Sequence, residues 1–370
     1  MAEKHLHIIS FNVPYPPTYG GVIDVFYKLK ALHEKGVKIH LHCFQYGRKE
    51  SEELKRYCEK IIYYNRDKFR KGLFSDKPFI VQSRNASELI ENLNKENYPV
   101  LFEGLHSCFF LPDDRLKNRT KIVRMHNDEA AYYFHLATKE HRILKRLYFY
   151  AEYRRLMKYE QVLQFADFIL CISKAETRNY KKKYENVSYL GPFHGNKLVS
   201  SKTGKGKYAL YHGNLEVNEN AEAVQFLVEE VFQFADKEFI IAGNQPSQQL
   251  VELINQYPKI RLINNPSEKE LNDLIADAQI NILPTFMETG IKLKLINALF
   301  KGRFCIVNDQ MVAQTGLEKY CIIANNAEEI NIQLQELFQK EFTEEDISFR
   351  RTIEMELSDL NEAEKIISLL

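Results

Sequence analysis

No apolar run in this 370-residue chain approaches the roughly 20 residues that a membrane span requires. No C-x-x-C pair occurs among its six cysteines (Cys43, Cys58, Cys108, Cys171, Cys305 and Cys321). Their scatter argues against a disulfide framework and against a zinc knuckle, and predicts reduced core residues. No D-x-D triplet offers carboxylates to a divalent metal, and the acids of "PDDR" have the wrong spacing, which disfavours a metal-dependent transferase. Internal repeats and low-complexity tracts are also missing. The apolar stretch in "MAEKHLHIISFNVPYPP" is interrupted by polar residues and lacks a small-residue cleavage site, so the expectation is a cytoplasmic protein without a signal peptide.

The composition is that of a soluble enzyme: 45% hydrophobic, 27% charged, with 15 Gly and 11 Pro. The length exceeds what one hydrophobic core usually serves, so two domains are expected. Charge divides the same way. Net charge is only +1, yet residues 1–200 hold 35 Lys and Arg against 23 Asp and Glu, while the remainder holds 16 against 27.

Short runs rich in Ile, Val and Phe recur with helical patterns between them. "HIISFNV", "KIHLHCF", "KIIYYN", "PVLFEG", "KIVRMHN" and "DFILCIS" form one series; "YALYHGN", "EFIIAGN", "KIRLINN", "INILPT", "FCIVN" and "CIIANN" form a second. Two βαβ series predict an α/β protein with two Rossmann-like domains. The boundaries read as residues 1–195, a Gly/Ser/Lys-rich linker at 196–207, a second domain at 208–342, and a C-terminal helix at 343–370 capped by Thr343, packing back on the first domain.

Ligands of parallel α/β sheets sit beyond the carboxyl ends of the strands, where helix amides point. Gly20 and Gly21 open the helix after the first strand and, lacking Cβ atoms, would let an anion approach; the pair is not G-x-G-x-x-G. "RMHNDEAAYYFHLA" sets Arg124, His126, Asn127, Asp128 and Glu129 at the end of the fifth, although Asp128 and Glu129 equally suit the first turn of a helix. In the second half, Gly213 and Asn214 close a strand, and Asn218 reads as the cap of the next helix. "NILPTFMETGIKLKLINALFKG" places Gly290, Lys292 and Lys294 before a helix, where two lysines would neutralise a diphosphate and Gly290 would let it near the backbone. Lysines at a helix start are otherwise unfavourable.

Over almost its full length the chain resembles the GT-B glycosyltransferases of family four, through "FNVPYPP" with its glycine pair, "RMHNDEAAYY", "YHGNLEVNENAEA" and "TGIKLKLINAL". The resemblance implies two Rossmann-like domains facing across a cleft, with the nucleotide sugar held by the second and the acceptor by the first, and metal-independent transfer with retention. Gly20 and Gly21 then match the loop near the donor diphosphate, and His126 the histidine that contacts the transferred sugar. Gly213 and Asn214 match the start of the donor site, where many relatives carry Arg and then Lys; here Asn214 and Glu219 stand in that neighbourhood. Many relatives also carry two glutamates with seven residues between them, one near the sugar and one on the ribose. Thr289 and Asn297 occupy those positions here, leaving Glu288 as the neighbouring carboxylate.

The expectation is therefore a retaining, metal-independent glycosyltransferase with no cofactor beyond a UDP- or GDP-type donor. Its candidate catalytic residues are His126, Glu129 and Glu288, and its candidate donor-binding residues are Gly20, Gly21, Gly213, Asn214, Thr289, Gly290, Lys292, Lys294 and Asn297. The acceptor would be a glycan or lipid-linked glycan. The basic first half, above all "HRILKRLYFYAEYRRLMKYEQVL" and "NRDKFRKGLF", would meet an anionic membrane on the inner face of the cell; nucleic acid is not expected as a partner. Two alternatives are a non-catalytic GT-B subunit and a GT-B sugar epimerase.

Overall fold

The structure is a computed structural model that describes residues 3–67, 75–233, 235–286, 293–313 and 315–370. These fall into two compact units. One holds the described residues up to Gly195 together with Leu357–Leu370; the other holds those between Asn196 and Glu356.

The first unit is built on a seven-stranded sheet. Its strands are β1 (His5–Ser10), β2 (Lys38–Gln45), β3 (Lys60–Asn65), β4 (Val100–Glu103), β5 (Lys121–Met125), β6 (Phe168–Cys171) and β7 (Val187–Tyr189). They lie in the order β3-β2-β1-β4-β5-β6-β7, and every pairing is parallel. Both faces are covered, which is why the strands read as continuous apolar runs. Ile9, Phe102, Val123 and Ile169 enter the core on one face, and Ile8, Leu101, Ile122 and Leu170 the core on the other.

The second unit has a six-stranded parallel sheet of β8 (Tyr208–Asn214), β9 (Glu238–Asn244), β10 (Ile260–Asn264), β11 (Ile280–Ile282), β12 (Phe304–Val307) and β13 (Ile322–Ile323). The order is β10-β9-β8-β11-β12-β13. In each sheet the first strand in sequence has neighbours reached in opposite directions, β2 and β4 for β1, β9 and β11 for β8. These are the topological switch points where α/β sheets take ligands.

Three local readings change. The stretch after Thr343 is three helices rather than one: Glu344–Arg350, Ile353–Glu356 and Asp359–Ile367. Thr343 caps the first in a reciprocal capping box with Asp346, and Ser358 caps the third through the Asn361 amide. That third helix lies against the helix Gly20–Glu34, with Ala363 and Ile366 in the same apolar core as Val25 and Leu29. The polar segment after Gly195 is tied to the second unit by its hydrogen bonds: Ser200 N–H donates to the Phe300 carbonyl, Ser201 Oγ to that of Gly302, and Gly204 bridges Phe342. Finally, Asn218 is the first residue of the helix Asn218–Phe226, with Val217 at the cap position and no side-chain capping bond.

All six cysteines are free thiols. Among the described residues, no helix is long and apolar enough to cross a membrane.

Candidate active site

In the first unit the helix Gly20–Glu34 begins just beyond β1. Tyr19 provides no side-chain cap and no acid sits in the first turn, so the leading amides stay available at the positive end of the dipole. Gly21 also has a packing role: a Cβ there would lie 2.7 Å from Cζ of Phe11.

One turn further in, the same helix carries Asp24 and Lys28, both fully buried. Lys28 Nζ donates to Asp24 Oδ2 at 2.9 Å and to both oxygens of Glu103, the last residue of β4, at 2.7 and 2.8 Å. Arg124 from β5 donates to Asp24 Oδ1 at 3.1 Å and to the carbonyls of Leu190 and Gly191 at 2.5 and 2.9 Å. Two acids thus meet two bases out of contact with solvent, each hydrogen-bonded more than once, as buried charges require. Burial alone would raise both carboxyls. Arg124 and Lys28 outweigh it at Asp24, and Lys28 with the His126 hydrogen bond outweighs it at Glu103, so both are held below their ordinary range.

His126, directly after β5, completes the cluster. Its Nε2 lies 2.7 Å from Glu103 Oε2; an ionised carboxylate only accepts, so Nε2 carries the proton. Its Nδ1 faces Asp24 Oδ2 at 3.7 Å and has no hydrogen-bond partner among the described residues. Atoms of Asp24, Glu103 and His126 lie within 4.8 Å of one another, a spacing that could suit a metal. The chemistry argues otherwise: Lys28 and Arg124 already balance both carboxylates, and a divalent cation would have to displace the Lys28 ammonium.

Around this cluster, unsatisfied polar atoms gather just past the ends of β4, β5 and β6. His106 Nδ1, His126 Nδ1, Asn127 Oδ1 and Glu176 Oε2 are all buried without a hydrogen-bond partner among the described residues. Such groups are rare in folded proteins and call for an explanation, for which a ligand or water beyond the strand ends is one. Glu129 is pushed up to about 8, by burial first and then by Asp128, so it is largely protonated at neutral pH. His106 Nε2 lies 3.9 Å from Glu129 Oε2, and burial, then Arg84, holds His106 well below the usual histidine value. Asp128 has the local role: it caps the helix Glu129–Lys139 by accepting from the Ala131 amide at 2.8 Å. Gly104, after β4, has φ +71°, and a side chain there would crowd His106 Nδ1 at 3.0 Å.

In the second unit, Gly213 and Asn214 end β8, and Asn220 ties the edge together. Asn220 Nδ2 donates to the Asn214 carbonyl at 2.8 Å, and Asn220 Oδ1 accepts from Tyr211 Oη at 3.0 Å and from Lys294 Nζ at 2.8 Å. A Cβ at Gly213 would stand 3.2 Å from the Asn220 side chain. Lys294 is in the first turn of the helix Leu293–Lys301, beyond β11, and also reaches Tyr211 Oη at 3.2 Å. Thr285, past β11, donates to Glu219 and is bracketed by Asn308, which gives it 3.0 and 2.6 Å main-chain bonds. The helix and loop residues of β8, β11 and β12 therefore converge at the switch point. Asn297 lies in the same helix as Lys294, its Oδ1 accepting from Asn196 Nδ2 at 2.8 Å. Glu288, Thr289, Gly290 and Lys292 lie outside the described residues.

Sequence reasoning missed Asp24, Lys28, Glu103, His106 and Asn220. The signal for the first pair was present: Asp24 and Lys28 stand four apart on a helix whose surrounding positions Val22, Val25, Leu29 and Leu32 are all core.

Residues 206–340 match the family model described as glycosyl transferases group 1. Over 86% of its length the chain is 27% identical to an uncharacterized 44.6 kDa protein in the cps region of Klebsiella pneumoniae, covering 87% of that protein. The fold is similar to that of TarM, with a TM-score of 0.73 at 12% identity, covering 100% of this chain and 99% of TarM. It is also similar to Anabaena HepE, solved with UDP-glucose, with a TM-score of 0.67 at 8% identity, covering 99% and 100%. Residues 206–340 thus carry the match to glycosyl transferases group 1, on a chain with the GT-B fold of two Rossmann-like units.

Proposed function

We propose that the chain is a nucleotide-sugar glycosyltransferase that transfers a hexose-like unit, with retention and without a metal, to a glycan or lipid-linked acceptor in cell-surface polysaccharide synthesis. The observation that carries this is Lys294. It stands in the first turn of its helix, where Asn220 and Tyr211 hold its ammonium at the switch point of the second sheet, the place where such sheets take anionic ligands. A nucleoside diphosphate is a ligand of that charge, and UDP-glucose in HepE is of this class. The relative in a cps region supports the polysaccharide context.

The chemistry follows from positioning and charge. The departing diphosphate develops negative charge, which Lys294 and the amides at the switch point meet. In the first unit, His126 is fixed by Glu103 and Glu129 offers a protonated carboxyl, so both can orient sugar or acceptor hydroxyls. The leaving phosphate itself accepts the acceptor proton. Lys294→Ala should weaken UDP or GDP binding by about 1.5–3 kcal/mol, the range of a charge-assisted hydrogen bond. Calorimetry that gives equal affinities for variant and wild type would remove the donor-site assignment.

The acceptor side is proposed to rest on an anionic membrane surface. On the helix Ile143–Tyr159, Ile143, Leu144, Leu147 and Tyr150 share one face and are 65%, 83%, 59% and 46% exposed, flanked by exposed Lys145, Arg146 and Arg154. Cosedimentation with phosphatidylglycerol vesicles should succeed at low salt, weaken at physiological salt, and be lost in Leu144→Glu. No binding of the wild type at either salt would sink this part.

A further inference from the structure

The tripeptide His-Leu-His occurs twice, at residues 5–7 and 40–42. The two copies lie on neighbouring parallel strands, β1 and β2, with His7 opposite His40. Their side chains form two ring pairs. His5 Nδ1 meets His40 Nε2 at 3.1 Å, and His7 Nδ1 meets His42 Nε2 at 3.0 Å.

The inner pair belongs to a longer hydrogen-bonded chain. Asn92 Nδ2 donates to Tyr64 Oη at 3.2 Å, and Tyr64 Oη lies 2.8 Å from His42 Nδ1, so His42 is bonded at both ring nitrogens. At the far end of the chain His7 Nε2 is buried without a hydrogen-bond partner among the described residues. Each ring–ring bond needs one nitrogen that accepts, so a pair in which both rings are protonated loses it and holds two like charges in contact. The outer pair is open in one place: His40 Nδ1 is buried without a hydrogen-bond partner among the described residues, as is Glu96 Oε2.

A ligand does not explain the arrangement, because the space lined by His7, His40, His42, Lys60, Asn92 and Glu96 is too small for a water molecule. Nor does a metal. The histidines meet two by two, and among the described residues no third ligand atom joins either pair at metal spacing.

We propose that this histidine ladder is a proton-operated latch. Neutral, it fastens the β1-β2-β3 edge of the first unit; protonated at mildly acidic pH, it releases that edge while the second unit stays closed. The surroundings support the direction. His7, His40 and His42 are 1%, 7% and 2% exposed. They face one another, His5 on β1, Lys60 and Tyr64 on β3, Glu59 before it, Asn92 and Glu96 from the segment after β3, Tyr98 before β4, and Arg119. Against Glu59 and Glu96 stand Lys60, Arg119 and the rings themselves. Burial first, and neighbouring rings second, hold His7 at about 4 and lower His40 and His42. The native edge therefore binds fewer protons than the opened edge. Its stability is full above the ordinary histidine value of about 6.5 and is lost as pH falls below it.

The test is hydrogen exchange of the full chain at pH 7.5 and 5.5, corrected for intrinsic exchange and read by mass spectrometry. Each depressed ring that gains a proton on opening raises the opening constant about tenfold between these pH values. Peptides covering β1, β2 and β3 should lose protection by over tenfold more than peptides covering β9 and β10, whose strands contain no histidine. A ratio of ten or less would overturn the latch. His42→Gln should narrow the ratio by about tenfold, and an unchanged ratio would also overturn it. If that variant does not fold, the wild-type ratio decides alone.

Discussion

Lys28→Met should destabilise the first unit by about 3–5 kcal/mol, the cost of removing one partner from a buried ion pair. The substitution keeps most of the side-chain volume, so the effect comes from charge. Glu103 would lose both of its bonds to the ammonium, and Asp24 would keep only Arg124 and a main-chain bond from Phe193 at 2.9 Å. Adding Glu103→Gln should restore part of the loss, because the uncompensated buried charge is then gone. Urea denaturation at pH 7 checks both, and a Lys28→Met midpoint equal to wild type would show that the cluster carries little of the fold. The pH dependence has a fixed sign. Both carboxyls lie below their unfolded values, so the stability they provide is present at neutral pH and is lost only as pH falls below about 4.

His126→Ala should cut turnover by about 100-fold or more while leaving nucleoside diphosphate affinity nearly intact, because the diphosphate contacts proposed here lie in the other unit. The geometry adds a second consequence. His126 is one of the groups that satisfy Glu103, so its loss should also cost about 1.5–3 kcal/mol of stability. Melting temperature and specific activity therefore have to be measured on one preparation. Activity that falls only in proportion to folded protein would make His126 a purely structural residue.

The strands were legible because buried parallel strands carry apolar residues on both faces, as "YALYHGN" and "EFIIAGN" show. β7 was not: "VSY" is three residues long at a sheet edge, with Ser188 exposed and too little apolar content to stand out. The single helix read after Thr343 fails because Ser358 caps a new helix within the same polar pattern. At the site, His126 and Glu129 were visible because they follow a strand that the apolar pattern already marked. Asp24, Lys28 and Glu103 were not, since a charged residue in a helix or at a strand end ordinarily reads as solvated, and only the fold brings their three partners together. Asn220 hid for a related reason. The neighbouring Asn218 looked like the cap, while the side chain that organises the edge sits two residues later and reaches Lys294 across the sheet.

The most direct measurement is release of nucleoside diphosphate by the purified full-length chain, given a panel of UDP- and GDP-sugars with extracted lipid acceptors, with and without EDTA. The account predicts release from at least one donor, accompanied by transfer or slow hydrolysis of its sugar and undiminished by EDTA. Nucleotide that binds but is never turned over by any donor in the panel would contradict it, and would leave a GT-B chain that serves as a binding subunit.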